Sequence, residues 1–367
     1  MLNILLVEDT ESSIQSCCEI AEEFFSGQIS ITSAKKPQEA MELLSNHFNA
    51  AIIDLRLKDD TEGGTFIQKI NELGLKIPMV IHTGTPDEVS EEWRPLKIFT
   101  RGEPGQGYKD IFEYLLKVFQ TGITEIVGLS GYIEQKVQQF YKEYFFNNRD
   151  LWIDRAATDS QRVKDALYRS LISQIDSEFV LHISESYPEE FYIPIQDRRR
   201  LYTGSIVLKK NSKKRFLILS PACDIALRKD GKPKINSITM CEIQPFETHG
   251  LTYAPSGCDF PGKTINQFNP LFQNSNDDKD CIRYHWLPNT ENFVGGIVNF
   301  TMPISCLYEN FFSEYDLERF RVAASFIKNI LARFSSYYAR QGQPDLGKNE
   351  LLSNIKATTA PPQILMP

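Results

Sequence analysis

Acidic side chains follow two apolar segments in the first 60 residues of this 367-residue chain. Glu8 and Asp9 come directly after the apolar run 3–7, and Asp54 stands near the end of a second run, 50–55. Carboxylates that meet at close range repel one another unless a cation joins them. Oxygen ligands with room for water suit Mg²⁺, so this pattern predicts a magnesium site.

A hydroxyl and a basic side chain follow two later apolar runs. Thr83 ends the run 78–83, and Arg101 comes after the run 96–100. Bound Mg²⁺ would neutralise the charge of a transferred phosphoryl group, while the hydroxyl and the basic group would hold two of its oxygens. Together with the acids, these positions predict that Asp54 accepts a phosphoryl group.

Five apolar segments that alternate with helical patterns must position these residues. The predicted strands cover 3–7, 28–33, 50–55, 78–83 and 96–100, and the predicted helices lie at about 10–25, 37–44, 65–73 and 107–120. Apolar strands that alternate with helices indicate a parallel sheet covered on both faces. Ligands of such sheets bind at the carboxyl ends of the strands, where the acids, Thr83 and Arg101 stand.

Three segments, with their spacing, resemble the receiver domain of two-component response regulators over about residues 1–120. They are ILLVEDT at 4–10, AIIDLRLKDDTEGG at 51–64 and MVIHTGTP at 79–86. The resemblance implies a flavodoxin-like (βα)5 fold in which Asp54 is the phosphoacceptor. It also implies that Glu8, Asp9 and Asp54 bind Mg²⁺ with the backbone carbonyl of Arg56.

The same resemblance implies partners and a switch. A histidine kinase or a phosphotransfer protein would donate the phosphoryl group to Asp54. The Thr83 hydroxyl would then form a hydrogen bond to that phosphoryl group. A two-state shift would then alter the face formed by the last strand and the two helices that flank it. A downstream effector protein would read that face.

One position departs from the family pattern. Receivers place a Lys, usually followed by Pro, at the end of the fifth strand, whereas this chain reads KIFTRGEP and puts Arg101 there. Lys97 cannot take the place of that lysine, because it stands at the start of the strand and not at its end. Ile98 occupies the position where receivers usually have an aromatic switch residue. Arginine keeps the positive charge but is longer and planar, so it can bind a phosphoryl group through two nitrogens.

The remaining two thirds of the chain have a different texture. We predict a helical connector over 121–185, an α+β module with a small β-barrel over 186–345, and an irregular tail over 346–367. Within the module a long helical pattern covers 316–340. Its short β-type runs are 202–208, 215–220, 237–243 and 293–302. The apolar stripes of the connector also allow a homodimer.

The segment LILSPACDIAL at 217–227 is the most distinctive after residue 130 and suggests a strand that ends at a sharp turn. Cys223 could be a nucleophile with His249 or His285 as its base. Alternatively, Cys223 is a small buried thiol beside Asp224, which caps the turn. A zinc site would instead combine Cys223 with Cys258, Cys281 and His285.

Charge and composition limit the partners. The chain has a net charge of −8, but residues 1–131 carry −10 and the remainder +2, so nucleic acid is not expected as a partner of the first part. The basic cluster 198–215 is either a nucleic-acid surface or a pair of solvated strand edges, and we favour the edges.

The sequence contains no run of about 18 apolar residues, so it predicts no membrane span. The first residues do not resemble a secretory signal, and seven cysteines without a framework spacing favour reduced thiols in a cytoplasm.

We therefore expect a phosphoacceptor that signals through a C-terminal module without DNA binding. No helix-turn-helix, Walker, cyclase, phosphodiesterase or histidine-kinase motif is present in the sequence. Two alternatives stay open. The chain could be a phosphate sink in a prokaryotic signalling operon of the phage-defence type, or a nuclease-like or toxin-like enzyme that the receiver gates.

Overall fold

The computed structural model divides the chain into two compact units, residues 1–183 and 184–367. The structure describes residues 1–44, 48–57, 63–72, 74, 76–93, 96–128, 131–179, 185–228, 230–249, 283–339, 347–349 and 352. In these ranges no helix is both long and apolar enough to cross a membrane. The predicted tail, 346–367, falls almost entirely outside them.

A parallel sheet forms the centre of the first unit. Its strands are β1 (Leu2–Val7), β2 (Ile29–Ala34), β3 (Ala50–Ile53), β4 (Met79–Thr83) and β5 (Lys97–Thr100). They lie in the order β2-β1-β3-β4-β5, the doubly wound order of flavodoxin-like folds. The predicted flavodoxin-like sheet is confirmed.

Helices cover both faces of this sheet. They are α1 (Glu11–Phe25), α2 (Pro37–Leu43), α3 (Gly63–Glu72) and α4 (Tyr108–Gln120). Ile4 and Leu6 of β1 belong to the core under α1 and α4, while Leu5 and Val7 belong to the core under α2 and α3. Because successive side chains of a strand point to opposite faces, a strand between two helical layers must be apolar throughout.

The crossover between β4 and β5 departs from this alternation of strands and helices. Its described residues form two short 3₁₀ turns, Pro86–Glu88 and Glu91–Trp93, in place of an α-helix. The segment holds two prolines and four acidic residues but few apolar ones, so it has no stripe that a helix could bury. Val89 alone is buried between the two turns. The expected signalling face therefore has a helix on one side of β5 only, within the described residues.

The residues that follow α4 are helical, in agreement with the predicted connector. They form α5 (Ile123–Val127), α6 (Tyr132–Gln139), a π-helical segment (Phe140–Phe145), a 3₁₀ turn (Phe146–Asn148) and α7 (Arg149–Phe179). The backbone of α7 leaves helical geometry at Asp159, with φ −152° and ψ 87°. The Tyr144 hydroxyl lies 3.0 Å from that of Ser170, so the two arms on either side of Asp159 form a helical hairpin.

A curled antiparallel sheet of seven strands forms the second unit. The strands are β6 (Tyr192–Pro194), β7 (Ser205–Lys209), β8 (Arg215–Ile218), β9 (Ser237–Gln244), β10 (Tyr284–Leu287), β11 (Gly296–Leu307) and β12 (Tyr315–Val322). Their order is β10-β11-β9-β8-β7-β12-β6. The edge strands approach each other, since the Tyr192 hydroxyl donates to the Pro288 carbonyl at 2.8 Å. The Phe191 and His285 rings also lie 6.3 Å apart. The expected barrel-like module is confirmed as this curled sheet.

The single long helix predicted over 316–340 is wrong in its first half. Residues 315–322 are strand β12, which pairs with β6 and β7, and the helix that follows is α10 (Ala324–Tyr338). Phe320 and Val322 fit a strand as well as a helix, and pairing with two neighbours decides between them. The unit also contains the short helices α8 (Ala222–Ile225) and α9 (Tyr308–Glu314). Ile327 and Ile330 of α10 fill one core of the sheet.

Candidate functional site

The carboxyl ends of β1 and β3 place two acids side by side. Val7 and Ile53 are register partners, and the Asp54 amide donates to the Val7 carbonyl at 2.9 Å. Glu8 and Asp54, the next residues of each strand, are therefore neighbours. Glu8 is completely buried and Asp54 is 7% exposed. Two buried carboxylates at the ends of adjacent strands need a nearby positive charge to offset their repulsion.

Arg101 supplies that charge. Its Nη2 lies 2.5 Å from Oε2 of Glu8 and 3.2 Å from Oδ2 of Asp54, so one nitrogen bridges the two acids. The Arg101 amide donates to the Thr83 carbonyl at 2.8 Å, which fixes the start of the side chain at the rim of the sheet. Nη2 also lies 3.3 Å from the His82 carbonyl, and Nη1 lies 3.5 Å from the Ser13 hydroxyl.

The other oxygens of the two buried acids accept backbone hydrogen bonds. Oε1 of Glu8 accepts the amide of Thr10 at 2.9 Å, and Oδ1 of Asp54 accepts the amide of Arg56 at 3.3 Å. All four oxygens of Glu8 and Asp54 thus have a donor. These contacts hold both carboxylates at the rim in fixed orientations.

Burial raises the pKa of Asp54 to about 6. Arg101 and the amide of Arg56 work against this rise, while Glu8 and Asp9 add to it. Burial opposes the charge of Arg101, but Asp54 and Glu8 outweigh that effect and raise the pKa of the guanidinium. Near pH 7 the site therefore holds one guanidinium and an Asp54 that is mostly carboxylate.

The remaining predicted site residues surround this ion pair. Thr83 is 1% exposed at the end of β4, and its hydroxyl accepts the amide of Thr85 at 3.2 Å. Asp9 is half-buried, and its Oδ1 accepts the Thr10 hydroxyl at 3.1 Å. Arg56 has an exposed side chain, and residues 58–62, which include Asp59 and Asp60, lie outside the described residues.

His82 and Tyr108 belong to the same site, although nothing in their sequence context predicts this. Their rings meet edge to face at 4.8 Å. Near the guanidinium, three buried polar atoms have no hydrogen-bond partner in the described structure: Nε of Arg101, Nδ1 of His82 and the Tyr108 hydroxyl. Burial and the charge of Arg101 lower the pKa of His82 to about 4, so this ring is neutral beside the guanidinium.

The arrangement does not fit a divalent metal while Arg101 stays where it lies. No group of three His, Cys, Asp or Glu side chains converges on a cation position in the described part of the chain. The oxygens of Glu8 and Asp54 are engaged, and a guanidinium bridges the pair. A cation between these acids would meet a positive charge at hydrogen-bond distance from both.

Among its described residues, the second unit does not bring a histidine to Cys223. Cys223 is exposed on α8, and its Sγ lies 3.7 Å from Oδ1 of Asp224. His249 contacts Gln244 at 2.8 Å, and Nδ1 of His285 contacts the Trp286 carbonyl at 2.7 Å, so neither ring is bonded to Cys223. Because Cys223 is exposed, the reading of it as a buried thiol is wrong. Of the predicted zinc ligands, Cys258 and Cys281 lie outside the described residues.

Acidic partners interrupt the basic cluster 198–215. The ion pairs are Arg199 with Asp197 at 3.1 Å, Arg200 with Asp197 at 4.0 Å, Lys210 with Asp316 at 3.6 Å, Lys214 with Glu242 at 3.0 Å and Arg215 with Glu318 at 3.0 Å. A surface that tracks phosphates leaves its cations unneutralised. These pairs support the interpretation of the cluster as solvated strand edges.

The first unit has a flavodoxin-like parallel sheet, and comparison with solved structures finds similarity to receiver domains over about a third of the chain. A CheY-like receiver domain protein from Methanospirillum hungatei JF-1 is 22% identical, with a TM-score of 0.29, and the match covers 34% of this chain and 99% of that one. A receiver domain protein from Clostridium thermocellum is 14% identical, with a TM-score of 0.30, and the match covers 34% and 100%. A CheY-like receiver from Methylobacillus flagellatus is 18% identical, with a TM-score of 0.27, over 31% and 98%. No protein-family model and no curated protein matches the chain.

Proposed function

We propose that the first unit is a response-regulator-like phosphoacceptor in which Asp54 receives the phosphoryl group. One observation carries this proposal. Asp54 lies at the carboxyl end of β3, Thr83 ends the neighbouring strand β4, and a basic nitrogen lies 3.2 Å from Oδ2 of Asp54. A carboxylate nucleophile next to a hydroxyl and a cation matches the needs of phosphoryl transfer.

The residues of this chain give each part of the transfer a role. An Asp54 carboxylate oxygen attacks the phosphorus, an O–P bond forms, and the N–P bond of a phosphohistidine donor breaks. The electron pair of that bond stays on the donor imidazole. Arg101 releases Oδ2 and binds oxygens of the transferred group, since its planar guanidinium can donate to two of them. The Thr83 hydroxyl donates to a third oxygen.

The donor would be a histidine kinase or a phosphotransfer protein, as the receiver resemblance implies. The resemblance also implies Mg²⁺ on Glu8, Asp9, Asp54 and the Arg56 carbonyl. With Arg101 between the acids, the described arrangement offers no such site. The five described cysteines form no disulfide, which fits the proposed cytoplasmic location.

Signalling would pass to the second unit, to an effector protein or to a second copy of the chain. The alternative of a phosphate sink has one specific observation in its favour. The described β4–β5 crossover has short 3₁₀ turns where a signalling face would present a helix. A receiver without that helix can accept phosphoryl groups and still lack the surface that reports them.

Intact mass measurement after incubation with acetyl phosphate tests the proposal. We expect one phosphoryl group on the wild-type chain and none on Asp54→Asn. Asp87→Asn, which removes an exposed acid of the same unit, should label like the wild type. Parallel reactions with and without Mg²⁺ show whether the metal is needed. An unmodified wild type, both with acetyl phosphate and with a histidine kinase encoded beside it, would refute the proposal.

A further inference from the structure

The contacts of Arg101 suggest a property of the rim that does not depend on phosphoryl transfer. Glu8 is completely buried, and Asp54 nearly so. Their mutual repulsion must be balanced for the sheet edge to form. In the structure the balancing charge belongs to the chain itself.

The guanidinium holds the position that a bound cation would need. Its Nη2 is within 3.2 Å of one oxygen from each buried acid. The two oxygens that it leaves accept amides of Thr10 and Arg56. A divalent ion needs several oxygens freed from such bonds and tolerates no positive group among its ligands.

We infer that Arg101 is a built-in counter-ion that competes with divalent metal for Glu8 and Asp54. The acids are neutralised without metal, and a divalent cation binds them only after the guanidinium has left. The Arg101 side chain is 31% exposed, so it has a route to solvent. The expected consequence is weak metal binding by the wild-type chain and stronger binding once the guanidinium is removed.

Calorimetric titration of the full chain with Mg²⁺, at constant ionic strength and without phosphodonor, tests this inference. Arg101→Met removes the charge but keeps an apolar stem of similar reach, and we expect its dissociation constant to be at least tenfold lower than that of the wild type. Lys69→Met is the matched control, because Lys69 pairs with Glu72 at 2.9 Å on the exposed face of α3. This control should bind Mg²⁺ like the wild type.

A second variant keeps the test decisive if Arg101→Met does not fold, as circular dichroism would reveal. Arg101→Lys retains one charge, but a single ammonium on a shorter stem holds two acids less firmly than the guanidinium. We expect it to bind Mg²⁺ at least threefold more tightly than the wild type. Equal or weaker binding by the folded Arg101 variants would overturn the inference. Failure of Asp54 labelling would not affect this result, since no phosphodonor is present.

Discussion

At the level of single residues, Glu8 and Arg101 form an ion pair at the buried rim of the sheet in the first unit. It joins a fully buried carboxylate to a partly buried guanidinium at 2.5 Å. Exposed ion pairs contribute little, but removing one partner of a buried pair leaves an uncompensated charge. The same unit contains an exposed pair for comparison, Lys35 with Glu11 at 2.6 Å, with side chains that are 55% and 77% exposed.

Glu8→Gln should therefore lower the free energy of unfolding of the first unit. We expect a loss of about 1–2 kcal/mol, below the range for fully buried pairs, because Asp54 still partners Arg101 and water reaches the guanidinium. Urea denaturation followed by circular dichroism measures the change. Glu11→Gln, which removes one partner of the exposed pair, should leave the free energy of unfolding close to that of the wild type. Equal losses in the two variants would show that burial does not strengthen the Glu8–Arg101 pair.

At the level of elements, the helical hairpin shows how one side chain can end and restart a helix. Asp159 has an extended backbone, and its Oδ1 accepts the amide of Arg162 at 3.0 Å. This is the geometry of an N-cap, which satisfies an amide that the helix cannot. The second arm of α7 therefore begins at Asp159, and the arms return on each other with Trp152 and Val163 buried.

Asp159→Ala should destabilise the hairpin by about 1 kcal/mol, the usual value for a lost N-cap. Asp159→Asn keeps an acceptor oxygen at the same place and should change the stability by only a few tenths of that amount. Thermal unfolding of the full chain, followed at 222 nm, compares the two variants. If alanine and asparagine had the same effect, the side-chain cap would not set the start of the second arm.

Some of the strands can be predicted from the sequence, and others cannot. The central strands β1, β3 and β4 were predictable because burial on both faces leaves a nearly continuous buried run in each. Strand β12 was not, since Phe320 and Val322 also fit a helical stripe and only the pairing with β6 and β7 decides. The short edge strand β6 gave no signal, because three residues are too few to show a period.

The candidate site likewise contains features that the sequence predicts and features that it does not. The neighbourhood of Glu8 and Asp54 follows from the rule that parallel strands end at one edge. The bridge by Arg101 could not be predicted, because it depends on the conformation of a long side chain. His82 and Tyr108 were missed because a histidine within a strand and a tyrosine at a helix start are common in ordinary cores.

At the level of the whole molecule, each unit has its own core and contains a buried ionisable group whose pKa is shifted by burial. In the first unit, burial raises the pKa of Asp54 from 3.8 to about 6, so this group costs the folded state stability as the pH rises from 3.8 to about 6, and the cost is complete above that pH. In the second unit the sign is opposite. Burial and the nearby Arg333 lower the pKa of His285 to about 4, although the Trp286 carbonyl and Asn329 favour the charged ring.

His285 should make the second unit less stable in mild acid. Between its ordinary pKa of 6.5 and about 4, the unfolded chain binds a proton that the folded unit does not accept, so stability is lost as the pH falls through this window. From pH 7 to pH 5 we expect a loss of about 2 kcal/mol from this residue. Denaturation of the full chain at both pH values, for the wild type and His285→Gln, isolates the effect, because all other groups are common to both. A pH dependence that is the same in both proteins would show that His285 is not buried in its neutral form.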